Sequence, residues 1–229
     1  MRQRRIPLLH RLLFPFAFAL TKLLLALLLR FPLFCWLRIE GRERVPKRGG
    51  IIVIANHISI ADPVVLWYAS PRHICFMGRA DVFQLPVIGG ILRLARAIPV
   101  RQRSADRAAL MGAIEAVRDG EAVGIFPEGE CSETGELLPF LPGVLLILRQ
   151  THAPVLPVGI CGTERLIPYG KLFPRPVFSV IIVRFGSIIP AEQILALPSP
   201  EQQLTFLHSQ VAQLITCVKH PSPAQETRG

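Results

Sequence analysis

Several things are scarce in this 229-residue chain, and each scarcity removes a class of function. No uncharged apolar run reaches the about 20 residues that a helix needs to cross a bilayer. The longest, Leu12 to Leu29, covers 18 positions and is broken by Thr21 and Lys22. Neither G-x-x-x-x-G-K-[ST] nor G-x-G-x-x-G occurs, which argues against nucleotide chemistry. Cys35, Cys75, Cys131, Cys161 and Cys217 contain no C-x-x-C pair. That scatter fits reduced thiols in a cytoplasmic protein, not a zinc site or a disulfide framework. His10, His73, His152, His208 and His220 have no partner at ligand spacing, so no metal is expected.

Negative charge is also scarce, but only at one end. Residues 1 to 50 hold 11 Lys/Arg against 2 Asp/Glu, whereas the remainder holds 15 against 14. The globular part is nearly neutral, which excludes a general nucleic-acid-binding surface. The basic excess brackets the apolar segment: Arg2, Arg4, Arg5 and Arg11 precede it, a pattern that keeps its start on the cytoplasmic side. At about 100° per residue, Arg11 and Lys22 share one helical face, as in a helix lying in the interface with its cations snorkelling outward. A second apolar piece, Phe31 to Leu37, carries Trp36 as an interfacial anchor. Two membrane-embedded helical pieces are favoured over one span, with an uncleaved signal-like anchor as the alternative.

What is present begins at Asn56-His57-Ile58-Ser59-Ile60-Ala61-Asp62, directly after the apolar run Ile51 to Ala55. The run reads as a strand, and a polar pair at its end falls at a sheet edge where ligands collect. Histidine is suited to take a proton near neutral pH, and a carboxylate on its other nitrogen fixes the tautomer. Asp62 can also be a helix N-cap with Pro63 behind it; a capping carboxylate still has an oxygen for an imidazole.

Beyond a basic connector from Arg42 to Gly50, short apolar runs alternate with helical patterns. This predicts an α/β fold with a mostly parallel central sheet flanked by helices. Expected strands are Ile51–Ala55, His73–Met77, Ala97–Val100, Ala122–Phe126, Val155–Ile160 and Val177–Phe185. One helix is expected from Ser104 as N-cap to Gly120 as C-cap, and another after Ser199, with Pro200 at its first position and Gln202 at its third. The chain divides into an anchoring segment over 1–40, an α/β domain over 41–220 and a disordered tail over 221–229.

A second constellation, Phe126-Pro127-Glu128-Gly129-Glu130-Cys131-Ser132, follows another expected strand and emerges at the same edge if both strands are parallel. Gly129 lets the backbone approach a ligand closely, and its polar neighbours can bond that ligand. Between the two lie Arg79 to Gly89 and Ala97-Ile98-Pro99-Val100, and Val155 to Ile160 follows.

With these blocks in order, the chain resembles the lysophospholipid acyltransferase superfamily, and within it the 1-acylglycerol-3-phosphate O-acyltransferases. The resemblance spans about Glu40 to Pro190. It covers N-H-x4-D at Asn56 to Asp62, the F-x-x-P-x-x-G block to Gly89, A-I-P-V at Ala97, and F-P-E-G-x-x-S at Phe126 to Ser132. It implies transfer of a fatty acyl group from acyl-CoA or acyl carrier protein to a lysolipid hydroxyl, most simply 1-acylglycerol-3-phosphate giving phosphatidic acid. The implied catalytic pair is His57 and Asp62. Asn56, Ser59, Arg79, Arg101, Arg103, Glu128, Gly129 and Ser132 are the implied substrate-binding residues, with Asn56 or a nearby backbone N–H serving the oxyanion. No cofactor beyond the thioester co-substrate is implied, and the partners are membrane lipids. The chain departs from the family where E-G-T-R-S is usual, since Glu130 and Cys131 stand there, and Gln102 replaces an arginine between Arg101 and Arg103. Arg101, Arg103 or Arg79 then takes the phosphate, or the acceptor lacks a phosphate monoester. A thioester hydrolase, a Cys131 acyl-enzyme and a silent lipid-binding scaffold are the alternatives.

Overall fold

The computed structural model describes residues 19–27, 35–84, 86, 88–101, 106–171, 173–176 and 178–215. Among them the strands are β1 Trp36–Glu40, β2 Ile51–Ala55, β3 Ile74–Arg79, β4 Ile98–Val100, β5 Ala122–Ile125, β6 Val155–Cys161 and β7 Val180–Phe185. They form one sheet ordered β1-β7-β6-β2-β5-β3-β4. Every pairing is parallel except β6 with β7. The helices are α1, described over 19–27, α2 Asp62–Ala69, α3 Ile88–Leu94, α4 Arg107–Arg118, α5 Gly143–Thr151, α6 Thr163–Leu166, α7 Ala191–Leu195 and α8 Pro200–Ala212.

The continuous apolar sequence of β2 has its reason in the two cores that it separates. Ile51, Val53 and Ala55 pack with Val65, Leu66 and Ala69 of α2 and with Leu156, Val158 and Ile160 of β6. Ile52 and Ile54 face Ala113, Ile114 and Val117 of α4, Leu148 of α5 and Leu207 of α8. Side chains alternate across a strand, so a strand covered on both faces is apolar at every position. β2 lies between β5 and β6, and the chain crosses from one side of it to the other between those two strands. The carboxyl ends of these parallel strands therefore bracket a crevice.

Several expectations shift in the structure. The anchoring segment was bounded at residue 40, yet Trp36–Glu40 is β1 and hydrogen-bonds in register with Val180–Arg184 of β7. Trp36 opens a strand of the sheet and does not sit on a separate membrane helix. An edge strand this short has no turn signal to announce it. β7 starts at Val180, three residues later than expected. β4 holds Pro99 at the sheet edge, where a missing N–H removes no ladder bond. α4 is capped by Asp106, whose carboxylate accepts from Ala109 N–H at 3.1 Å. Ser104 lies outside the described residues. Ser199 caps α8 as expected, accepting from Gln202 N–H.

Cys35, Cys75 and Cys131 are free thiols, whereas Cys161 is disulfide-bonded, which the even scatter of cysteines along the chain does not announce. Cys217 and the tail over 221–229 lie outside the described residues. No helix among the described residues is long and apolar enough to cross a membrane. Lys22 was expected to snorkel outward. Instead its ammonium donates to the Ser70 carbonyl at the end of α2 and lies 5.7 Å from the centre of the Trp67 ring. Leu25 packs on the core beneath, so α1 rests against the C-terminal end of α2.

Candidate active site

β2 ends at Ala55, and the chain then turns through His57 into α2. Asp62 is the first residue of that helix; the cap position falls to Ala61, so Asp62 is not the N-cap that its Pro63 neighbour suggested. The turn brings His57 Nδ1 to 2.9 Å from Asp62 Oδ2. The same oxygen accepts the Ile58 and Ser59 N–H groups at 2.7 and 2.8 Å, and Oδ1 accepts the Thr163 hydroxyl. Asp62 is fully buried, and four donors saturate its acceptor capacity. A carboxylate so surrounded accepts and does not donate, so Nδ1 carries the proton and Nε2 is left to take one. The His57 side chain keeps 17% exposure, enough for a reactant to meet it.

The second constellation locks onto the first. Glu128 Oε1 accepts the His57 backbone N–H at 2.6 Å, and Oε2 accepts Leu138 N–H at 2.8 Å. In return Ser132 N–H donates to the His57 carbonyl at 2.7 Å. The Phe126 ring stacks on the imidazole with centroids 4.2 Å apart. Gly129 turns the loop at φ 78°, where a Cβ would also strike Leu141 at 2.5 Å. Burial raises the Glu128 carboxyl above its ordinary range, against the lowering effect of its two N–H partners.

The sequence-derived site residues separate into three groups. His57, Asp62, Glu128, Gly129 and Ser132 come together. Asn56 and Ser59 are buried and committed to scaffolding. The Asn56 amide bonds both backbone groups of Ile160, at 2.9 Å from Nδ2 and 2.7 Å to Oδ1, which stitches β2 to β6. This corrects the expectation that Asn56 serves the oxyanion, because its amide already faces the neighbouring strand. The Ser59 hydroxyl donates to Ile167 O and accepts from Ala61 N–H. Arg79 closes β3 and Arg101 follows β4, both exposed at the same sheet edge but farther out. Arg79 lies in a two-point ion pair with Asp81 at 2.6 and 3.1 Å. Gln102 and Arg103 lie outside the described residues.

Two further features were missed. Thr163 opens α6 just past the end of β6 and reaches Asp62 from there, and its signal was a polar residue two positions after a third strand that ends at this edge. The Phe126 stack had no cue beyond its place at the end of the β5 run. A depression on the loop that follows Gly129 is lined by Glu130, Cys131, Ser132, Glu133 and Tyr169. The Ser132 hydroxyl is buried with no hydrogen-bond partner among the described residues. The Cys131 thiol is pushed up to about 12 by burial and by the Asp62 and Glu128 charges, so it is a poor nucleophile at neutral pH. His73, Cys75 and Glu121 form the cluster of metal-ligand type among the described residues. An Arg96 guanidinium holds Glu121 there.

The acyltransferase family's model matches residues 37–161. The chain is 28% identical over 137 residues to a 1-acyl-sn-glycerol-3-phosphate acyltransferase of Borreliella burgdorferi, covering 59% of this chain and 55% of that protein. It is 30% identical over 191 residues to the human 1-acyl-sn-glycerol-3-phosphate acyltransferase beta, covering 78% and 68%. The crystal structure of the 1-acyl-sn-glycerophosphate acyltransferase PlsC from Thermotoga maritima superposes with a TM-score of 0.68 at 29% identity, over 80% of this chain and 72% of that one. The chain spans about half the length of several of the curated relatives that it matches.

Proposed function

The chain belongs to the acyltransferase family, and on that premise we propose that it moves a fatty acyl group from acyl-CoA or acyl carrier protein to the free hydroxyl of 1-acylglycerol-3-phosphate, giving phosphatidic acid. The observation that carries this reading is the imidazole held by Asp62 at 2.9 Å with its other nitrogen available for a proton. His57 Nε2 removes the acceptor hydroxyl proton as that oxygen attacks the thioester carbonyl. The tetrahedral oxyanion collapses, the C–S bond breaks, and the departing thiolate takes the proton back from the imidazolium. Base assistance of this kind supplies ~10²–10⁴-fold, and positioning and oxyanion donors supply the rest. The buried Ser132 hydroxyl is a donor suited to the reacting oxygens. No enzyme nucleophile is needed, in keeping with the raised Cys131 thiol. The reaction calls for no cofactor beyond the thioester.

Glu130 and Glu133 beside the depression repel a phosphate dianion, so the acceptor headgroup points the other way. Arg79 lies two strands from β2 in the sheet order, about 10 Å away at the usual strand spacing, and Arg101 one strand beyond. An arginine side chain spans much of that gap and grips phosphate with a planar fork. The catalytic domain works at the cytoplasmic face of a membrane, held by the basic N-terminal segment.

The test is product analysis by mass spectrometry, with purified protein, 1-acylglycerol-3-phosphate and each acyl thioester. His57→Ala abolishes phosphatidic acid formation, and undiminished turnover in that variant removes the proposed base. Fatty acid release at the same rate with and without the lysolipid reassigns the protein as a thioester hydrolase.

A further inference from the structure

α1 is built the wrong way round for a soluble helix. Leu20, Leu23, Leu24 and Leu27 follow the i, i+3, i+4, i+7 spacing of one stripe, and that stripe points outward at 57–58% exposure. The face turned to the domain carries Lys22 and Leu25. The apolar surface does not stop at this helix. β1 and β7 begin at the edge where β2, β5 and β6 end, because β7 runs antiparallel to β6 and parallel to β1. Trp36 and Val180 at those two starts are exposed, and so are Ile60 and Val64 beside His57. The loop over 167–179 that leads into β7 adds Phe173 at 84% exposure and Phe178 at 77%.

This loop is tied to the site. Ile167 O accepts the Ser59 hydroxyl, Arg175 N–H donates to Leu166 O, and Trp36 N–H donates to Ser179 O. Its charged residues are Lys171 and Arg175, with no carboxylate between Leu166 and Ala191. Aromatic side chains interleaved with cations, near the site proposed for a lysolipid acceptor, match an anionic lipid surface in both polarity and charge.

We propose that the 167–179 loop is a second membrane-docking element, which acts with the outward stripe of α1 to lay the catalytic edge directly on an anionic bilayer. Phe173 and Phe178 enter the headgroup boundary, Lys171 and Arg175 meet lipid phosphates, and the acceptor reaches His57 laterally without leaving the membrane. The proposal rests on the lipid-acceptor reading for its purpose, but its binding test does not use catalysis.

The full chain is floated with phosphatidylcholine vesicles containing phosphatidylglycerol, and the Phe173→Ser/Phe178→Ser double variant is compared with the parent. Both positions are solvent-exposed, so the variant keeps its thermal unfolding midpoint. The expected result is a partition coefficient about tenfold lower or more. Lys171→Gln/Arg175→Gln lowers binding to the anionic vesicles and leaves binding to pure phosphatidylcholine unchanged. Turnover of a short-chain acceptor below its micelle concentration stays at the parent rate in the phenylalanine variant, while turnover of vesicle-borne acceptor falls. Parent-level vesicle binding by the double variant overturns the proposal, and so does equal loss of turnover on the soluble acceptor. Unchanged vesicle binding with a raised KM for acyl carrier protein makes the loop a protein dock instead. Absence of turnover with every acceptor removes the proposed reaction and leaves the binding result standing.

Discussion

Glu128→Gln isolates what the second constellation contributes. The carboxylate accepts two backbone N–H groups, from His57 at 2.6 Å and Leu138 at 2.8 Å, and it is 5% exposed. Glutamine has the same shape but offers one oxygen, so its amide N–H meets one of the two donors head on. A lost bond to a charged acceptor is worth about 1.5–3 kcal/mol, and a buried donor is then left unsatisfied. At 1.36 kcal/mol per tenfold, a loss of about 2 kcal/mol corresponds to roughly a 30-fold fall in rate if it falls on the His57 backbone. The expected readout is kcat reduced 10- to 100-fold with KM nearly unchanged, since Glu128 acts through the histidine. Urea unfolding should show a loss of about 2 kcal/mol in the same variant.

The pH dependence carries a separate signature of this residue. Burial raises the Glu128 carboxyl, so the native state holds its proton more tightly than the unfolded chain does. Its contribution to stability is present in full below the ordinary carboxyl value of 4.5 and is lost as pH rises through the raised native value. Activity is expected to change in the opposite direction, because the ionised group is the stronger acceptor for both N–H donors. Across that window the parent gains rate while losing stability, and Glu128→Gln lacks this component of the stability slope. A variant with parental kcat and parental unfolding free energy would refute the clamp.

Other consequences are equally open to measurement. Thr163→Val removes the hydroxyl donor from buried Asp62, and kcat should fall about tenfold or more while Thr163→Ser restores it; an unchanged kcat would make that contact incidental. Cys131→Ala should retain parental turnover, and intact protein should resist iodoacetamide at neutral pH, given a thiol pushed up to about 12. Arg79→Gln combined with Arg101→Gln should raise KM for 1-acylglycerol-3-phosphate and leave KM for a phosphate-free 1-acylglycerol unchanged, as read from initial rates on both acceptors. Burial lowers His73 to about 4 from an ordinary 6.5, so its contribution is full above 6.5 and is lost as pH falls toward 4. Denaturation at pH 7 and pH 5 should differ by about 2 kcal/mol more in the parent than in His73→Gln.

Legibility in the sequence followed how locally each feature is encoded. β2 was legible residue for residue because a strand covered on both faces must be apolar throughout, and Ile51 to Ala55 leaves no other reading. The Ser199 cap was legible because its partner lies three residues away. His57 and Asp62 share one turn, so their pairing was also a local matter. β1 was hidden because Trp36–Glu40 is polar at alternate positions and is completed by a strand almost 150 residues later. Asn56 looked like a ligand-binding residue for the same reason: its partner, Ile160, is 104 positions distant. Thr163 and Leu138 reach the site only after β5 and β6 are laid on either side of β2, and no spacing rule within one segment encodes that.

The departure at Glu130 and Cys131 becomes intelligible once the edge is read as a line of strands. On the β1–β7 side the edge is apolar and cationic, through Trp36, Phe173, Phe178, Lys171 and Arg175. On the β3–β4 side it carries Arg79 and Arg101. The acidic depression lies on the 130–134 loop, joined to His57 through the Ser132 N–H bond to the His57 carbonyl. A lysolipid is itself asymmetric, with a phosphate at one end and a chain at the other, and both ends cannot lie on the same side of its reacting hydroxyl. Negative charge in that depression penalises any pose that puts a phosphate there. On the proposed reading of the acceptor, the acids would orient it by repulsion.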